Sequence, residues 1–92
     1  MLDIYADVID NYGDMAFAIN LIEKIHADTD TLIRLFSNDR ILFKTFSQNF
    51  SKPKLVTYQE LSDIESFSPA KIIINLFDKK LNYSFYEKYD FP

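Results

Sequence analysis

The apolar pattern of this chain changes period several times, and each change predicts an element boundary. Residues 2–9 predict a buried strand, ending in the loop formers Asp10-Asn11-Tyr12-Gly13-Asp14. From Met15 the period becomes helical, with Met15, Ala18, Ile19, Ile22 and Ile25 on one stripe and Phe17 and Leu21 widening it. Asp14 stands where a helix N-terminal cap is expected, and the helix should end near residues 27–29. Residues 31–36 predict a second strand. Ser37-Asn38-Asp39 then offers caps for a second helix whose buried face would use Ile41, Leu42, Phe43 and Phe46. Ser51-Lys52-Pro53 breaks that helix, and residues 54–58 predict a third strand. A weaker segment anchored by Leu61, Ile64 and Phe67 closes at Pro69. Residues 71–77, the most apolar run, predict a fourth strand at the sheet centre, and residues 83–89 can begin another helix.

This alternation predicts an α/β fold, a Rossmann-like parallel sheet with flanking helices joined by crossover connections. Parallel sheets are covered on both faces. Two clear helices fall short of that, so the layer reads as unfinished and the chain as a truncated unit. An apolar content of 48% separates the chain from disordered sequences. The aromatic load, nine Phe and six Tyr in 92 residues, exceeds what so small a core needs, which suggests packing surface for partners. The net charge of −4 argues against nucleic acid, which needs a basic footprint, and suits a basic protein partner. The absence of cysteine excludes disulfides and thiolate chemistry. The first residues carry acids where a signal peptide carries cations, and no run reaches the roughly 18 apolar residues of a membrane span. A cytoplasmic protein without membrane contact is expected.

Ligands of open α/β sheets bind beyond the carboxyl ends of the strands, where Asp10-Asn11-Tyr12-Gly13-Asp14 falls. A single glycine excludes a dinucleotide fingerprint, and a carboxylate beside a helix start would repel pyrophosphate. Paired carboxylates suit a cation, or a group that loses a proton.

The run Val8-Ile9-Asp10-Asn11-Tyr12-Gly13-Asp14 resembles the N-terminal signature V-[VI]-D-N-[FY]-G-D of the elongation factor P arginine rhamnosyltransferases. Asp3-Ile4-Tyr5 resembles that family's D-I-[FY], Arg34-Leu35-Phe36-Ser37-Asn38-Asp39 its R-L-W-V-D-D, and Ile73-Ile74-Asn75-Leu76-Phe77 its apolar strand ending in A-F. The chain departs from the family at Met15-Ala16-Phe17, where I-G-V is usual, at Ile19-Asn20, where Trp-Arg is expected, and at Asn82, where proline is common. The resemblance implies an inverting glycosyltransferase of the glycosyltransferase-B arrangement that moves rhamnose from TDP-rhamnose to an arginine of elongation factor P. Residues 1–92 would be its acceptor-side domain, inactive alone. The donor-binding domain would lie outside this sequence, and neither cofactor nor metal is implied. Asp14 would be the catalytic base and Asp10 its orienting partner, because a guanidinium with a pKa above about 12 must lose a proton before it attacks a sugar carbon. Asn11, Tyr12 and Gly13 would line the substrate site.

Plainer readings stand beside these. Asp14 can be a helix cap, Asp10 can satisfy turn amides, and Gly13 can be a turn residue with positive φ. An acidic pair can also bind Mg²⁺. His26 reads as solvated or capping, Lys52, Lys54 and Lys79-Lys80 as solvated charges, and Tyr83, Phe85, Tyr86, Tyr89 and Phe91 as core. The alternative function is a non-catalytic module that docks a translation factor. A receiver-like domain is remote, since the third strand runs into Gln59-Glu60 rather than a phosphorylatable aspartate.

Overall fold

The computed structural model describes residues 1–8 and 12–76. Strands β1 (Leu2–Ala6), β2 (Ile33–Ser37), β3 (Val56–Glu60) and β4 (Ile72–Leu76) form one sheet in the order β3-β2-β1-β4. Every pairing is parallel, and the register sets Ala6 level with Ser37 and Leu76, and Ser37 level with Glu60. The carboxyl ends of all four strands therefore finish flush. Helices α1 (Gly13–Asp28) and α2 (Arg40–Ser47) connect the first three strands. This is the expected α/β fold of parallel strands and flanking helices.

The strand period of two divides the residues between two layers. Leu2, Ile4, Ala6, Ile33 and Leu35 pack with Met15, Ala18, Ile19 and Ile22 of α1, and with the half-buried Leu42, Phe43 and Phe46 of α2. Tyr5 and Phe36, on the other face, meet Ile64, Leu61 and Phe67 from the β3–β4 connection. A 3₁₀ segment, Leu61–Ser66, forms that second layer. Leu61, Ile64 and Phe67 are thus anchors, as their spacing predicts.

Several expectations need correction. The most apolar strand does not lie at the centre: β4 pairs with β1 alone among the described residues, and its Ile72 and Asn75 are exposed. The centre belongs to strands covered on both faces, and β1 is buried at all five positions. Its sequence hides this because one of the five is Asp3. Strand β3 starts at Val56 rather than residue 54, because Pro53–Leu55 takes a 3₁₀ turn with Leu55 N–H donating to Lys52 O. Asp14 is not the cap of α1. Tyr12 holds that position without a side-chain hydrogen bond, and Asp14 lies in the first turn. Phe17 is 57% exposed and Ile41 81% exposed, each lying outside the buried arc of its helix.

Two further corrections share one place. His26 is buried, four residues beyond Ile22 on the same stripe, and its Nε2 lies 2.8 Å from Thr31 O. Lys52 is not simply solvated. Its Nζ donates to His26 O at 2.6 Å, Thr29 O at 3.1 Å and Asp30 Oδ1 at 2.7 Å, closing the carboxyl end of α1. The hydrogen bond and charge of Lys52 hold the Asp30 carboxyl below its ordinary pKa. The aromatic cluster from Tyr83 to Phe91, the helix expected over 83–89, and Lys79-Lys80 lie outside the described residues.

Asp3 and Arg34 stand opposite each other in the β1–β2 register. Arg34 Nε donates to Asp3 Oδ1 at 2.7 Å and Nη2 to Asp3 Oδ2 at 2.8 Å. Ala70 N–H also donates to Asp3 Oδ2 at 2.8 Å, and Arg34 Nη2 to Ser68 O at 2.7 Å. The guanidinium carbon lies 5.5 Å from the ring centroids of both Phe36 and Phe67. The hydrogen bond to Asp3 raises the Arg34 pKa, against the opposing pull of burial. Breaking one partner of a buried pair strands the other, so Arg34→Ala should cost about 3–5 kcal/mol in urea unfolding. Asp3→Ala should cost a similar amount, and the double variant much less than the sum of the two.

Tyr58 is buried under Arg40, whose guanidinium carbon lies 4.6 Å from its ring centroid, and beside Phe43 at 4.9 Å. Burial first, then the Glu60 charge, pushes its phenol up to about 12. The native state then keeps a proton that the unfolded chain gives up near pH 10. Stability contributed by the neutral phenol is full below that pH and declines as pH rises toward 12. Tyr58→Phe should flatten this decline in denaturation curves taken across the same window.

Candidate active site

The chain builds its sheet from β1 outward to β2 and β3, then returns to place β4 on the other side of β1. Open parallel sheets bind ligands where the direction reverses, beyond the carboxyl ends of the strands. Here that point lies between β1 and β4.

Strand β1 ends at Ala6, short of the predicted residue 9, and the chain continues through Asp7 and Val8, where Val8 packs against the core and Asn38 binds both residues. Asn38 Oδ1 accepts from Val8 N–H at 2.8 Å, while its Nδ2 donates to Val8 O at 3.1 Å and Asp7 Oδ1 at 2.8 Å. At the far end of the connection, Tyr12 is 69% exposed and packs edge-on against Phe46 of α2, with ring centroids 6.3 Å apart. Gly13 is the first residue of α1, so its backbone is helical and no positive φ is required. It is exposed, and its missing side chain leaves the helix start open to close approach. Asp14 follows in the first turn, partly buried, where the helix dipole favours a negative charge. Asp10 and Asn11 lie outside the described residues.

The start of α2 forms the opposite wall. Asp39 caps this helix, its Oδ1 accepting from Leu42 N–H at 3.0 Å, as the sequence suggests. Tyr12, Asp39, Ile41, Leu42 and Thr45 line a groove of about 310 Å³. Beyond Asp39, Arg40 Nε lies 3.5 Å from Glu60 Oε1 at the end of β3. The carboxyl end of the sheet thus gathers Asp7, Asp14, Asp39 and Glu60, with Arg40 beside Glu60.

A larger depression of about 430 Å³ lies at the opposite end of the sheet, lined by Asp30, Ser51, Lys52, Pro53, Lys54 and Leu55. Its ionic groups include the Lys52–Asp30 pair that closes α1. The amino ends of parallel strands are not where such folds place their chemistry, so the smaller groove is the candidate site.

Sequence reasoning anticipated Tyr12, Gly13 and Asp14 at this end of the sheet, and the structure brings Tyr12 together with Asp39. It overlooked the grip of Asn38 on the connection. That grip follows from the strand register: Ala6 and Ser37 pair at the strand ends, so the residues that follow each come close. Carboxylates at such a site can hold a guanidinium through charge-assisted, two-pronged hydrogen bonds. Among the described residues, no group of three or more His, Asp or Glu can hold a metal ion, and no helix is long and apolar enough to cross a membrane.

No curated protein and no solved structure matches the chain. A family model described as Elongation-Factor P (EF-P) rhamnosyltransferase EarP matches residues 2–90. That span covers nearly the whole sequence, including the β1–α1 connection and both walls of the groove, and the chain belongs to the elongation factor P rhamnosyltransferase family.

Proposed function

We propose that residues 1–92 form the acceptor-side, Rossmann-like domain of a glycosyltransferase-B enzyme that transfers rhamnose from TDP-rhamnose to an arginine of elongation factor P. A second domain would bind the nucleotide sugar. The acceptor is a translation factor, so the proposed working compartment is the cytoplasm. The observation that carries this reading is the place of Asp14, in the first turn of α1 at the carboxyl end of the sheet, in a chain whose residues 2–90 match the family.

The chemistry follows from the acceptor. An arginine guanidinium is cationic, and its nitrogen lone pairs are delocalised. In the proposed step Asp14 takes a proton from it, while Asp10 holds it in line. The freed nitrogen pair forms a bond to the anomeric carbon of rhamnose. The bond from that carbon to the phosphate oxygen breaks, and TDP leaves with the electron pair. Displacement from the opposite face inverts the anomeric centre. Asn11, Tyr12 and the open backbone at Gly13 line the approach. The cluster of carboxylates at this end of the sheet favours a cationic substrate over a phosphate.

The test is transfer to purified elongation factor P, read as the mass gain of one deoxyhexose. In the enzyme with its donor-binding domain in place, Asp14→Asn should lower kcat by about a hundredfold or more, the usual contribution of a positioned base. Its thermal unfolding should remain close to that of the parent. Near-normal turnover in this variant would contradict the role given to Asp14.

A further inference from the structure

The β1–α1 connection carries the proposed chemistry, and its first residues, Asp7 and Val8, lie beyond the strand ladder. Strand pairing ends at Ala6. Beyond it, the Asn38 amide binds both backbone groups of Val8, the N–H at 2.8 Å and the carbonyl at 3.1 Å. This side chain acts as a strand-like partner for one further residue after the ladder has ended. The same Nδ2 that reaches Val8 O also donates to Asp7 Oδ1 at 2.8 Å. Only an amide can do all of this, since it carries an acceptor and a two-proton donor in one plane. An aspartate could accept from Val8 N–H but could donate nothing to Val8 O or Asp7. Four residues beyond Val8, Tyr12 packs against Phe46 of the same β2–α2 unit. The β2–α2 unit therefore meets the chain at Asp7 and Val8 and again at Tyr12.

We propose that Asn38 is a positioning residue, holding Asp7 and Val8 in place where the chain leaves β1 toward the acidic turn. The proposal rests on the functional reading above for its effect on transfer, and on the Asn38 hydrogen bonds alone for its effect on the connection. Asn38 touches no substrate in this account. It acts through Val8 and Asp7.

The test joins amide exchange to kinetics. In Asn38→Ala, exchange at the Val8 amide should rise about fivefold to tenfold, the scale of one lost hydrogen bond. Transfer should lose about tenfold to a hundredfold in kcat, the scale of a misplaced reacting group, with KM for TDP-rhamnose unchanged. Asn38→Asp should be at least as impaired, because its carboxylate faces that of Asp7. The exchanged pair Asp7→Asn/Asn38→Asp restores a donor and an acceptor between the two side chains, and should recover part of the kcat lost in Asn38→Asp. A purely structural role would lower the unfolding temperature without this rescue. Unchanged Val8 exchange in Asn38→Ala would overturn the inference, as would parental kcat with accelerated exchange. If the parent enzyme, with its donor-binding domain in place, transfers no rhamnose, the functional reading fails, and Val8 exchange still decides whether Asn38 holds Asp7 and Val8.

Discussion

A carboxylate with no exposure to solvent sits in the central strand of this sheet, and the arrangement around it depends on how that charge is satisfied. Asp3 takes two hydrogen bonds from Arg34 and one from the Ala70 amide. Burying a lone carboxylate costs several kcal/mol, so the fold is viable only where all three donors arrive together. Arg34 supplies the β1–β2 register, and Ala70 supplies the chain that returns to form β4. Ser68 and Phe67 complete the enclosure from the same returning segment. One ionic cluster therefore fixes both the pairing of the central strands and the path of the crossover beneath them.

The position of the candidate site follows from that path. The crossover runs under the face opposite α1 and α2, and β4 joins β1 on its free side. The sheet consequently reverses direction at β1, and the reversal point lies beside the carboxyl end of that strand. Both helix N-termini reach the same end of the sheet, which suits the carboxylates of Asp14 and Asp39. The amide of Asn38, just beyond β2, binds Asp7 and Val8, and the ring of Phe46 on α2 meets Tyr12. The site thus stands on two layers of support: a buried charge cluster that sets the topology, and a polar clasp that sets the local path.

The order of elements was legible in the sequence because the apolar period changes at each boundary. Met15, Ala18, Ile19 and Ile22 face the core as their spacing requires, and Leu61, Ile64 and Phe67 anchor the second layer. Sheet order was not legible. The KIIINL run is more apolar than LDIYA, and hydropathy alone favoured it for the centre, whereas charge compensation by Arg34 lets Asp3 occupy the buried strand. His26 and Lys52 were misjudged for the same reason. Each is polar by type, but one continues the buried stripe of α1 and the other closes the end of that helix. At the site, the acidic turn was recognisable from its resemblance to one family. The supporting role of Asn38 depends on strand register, which a single sequence does not display.

The account stands or falls on whether the acidic connection recognises an arginine of elongation factor P. Calorimetric titration of the folded chain with purified elongation factor P addresses this directly, repeated with Asp10→Ala and Asp14→Ala and with a factor whose acceptor arginine is replaced by alanine. The account predicts measurable binding by the parent, weakened in each aspartate variant and with the altered factor. Binding of equal strength in all these combinations would contradict it, because the contact would then lie elsewhere on the chain.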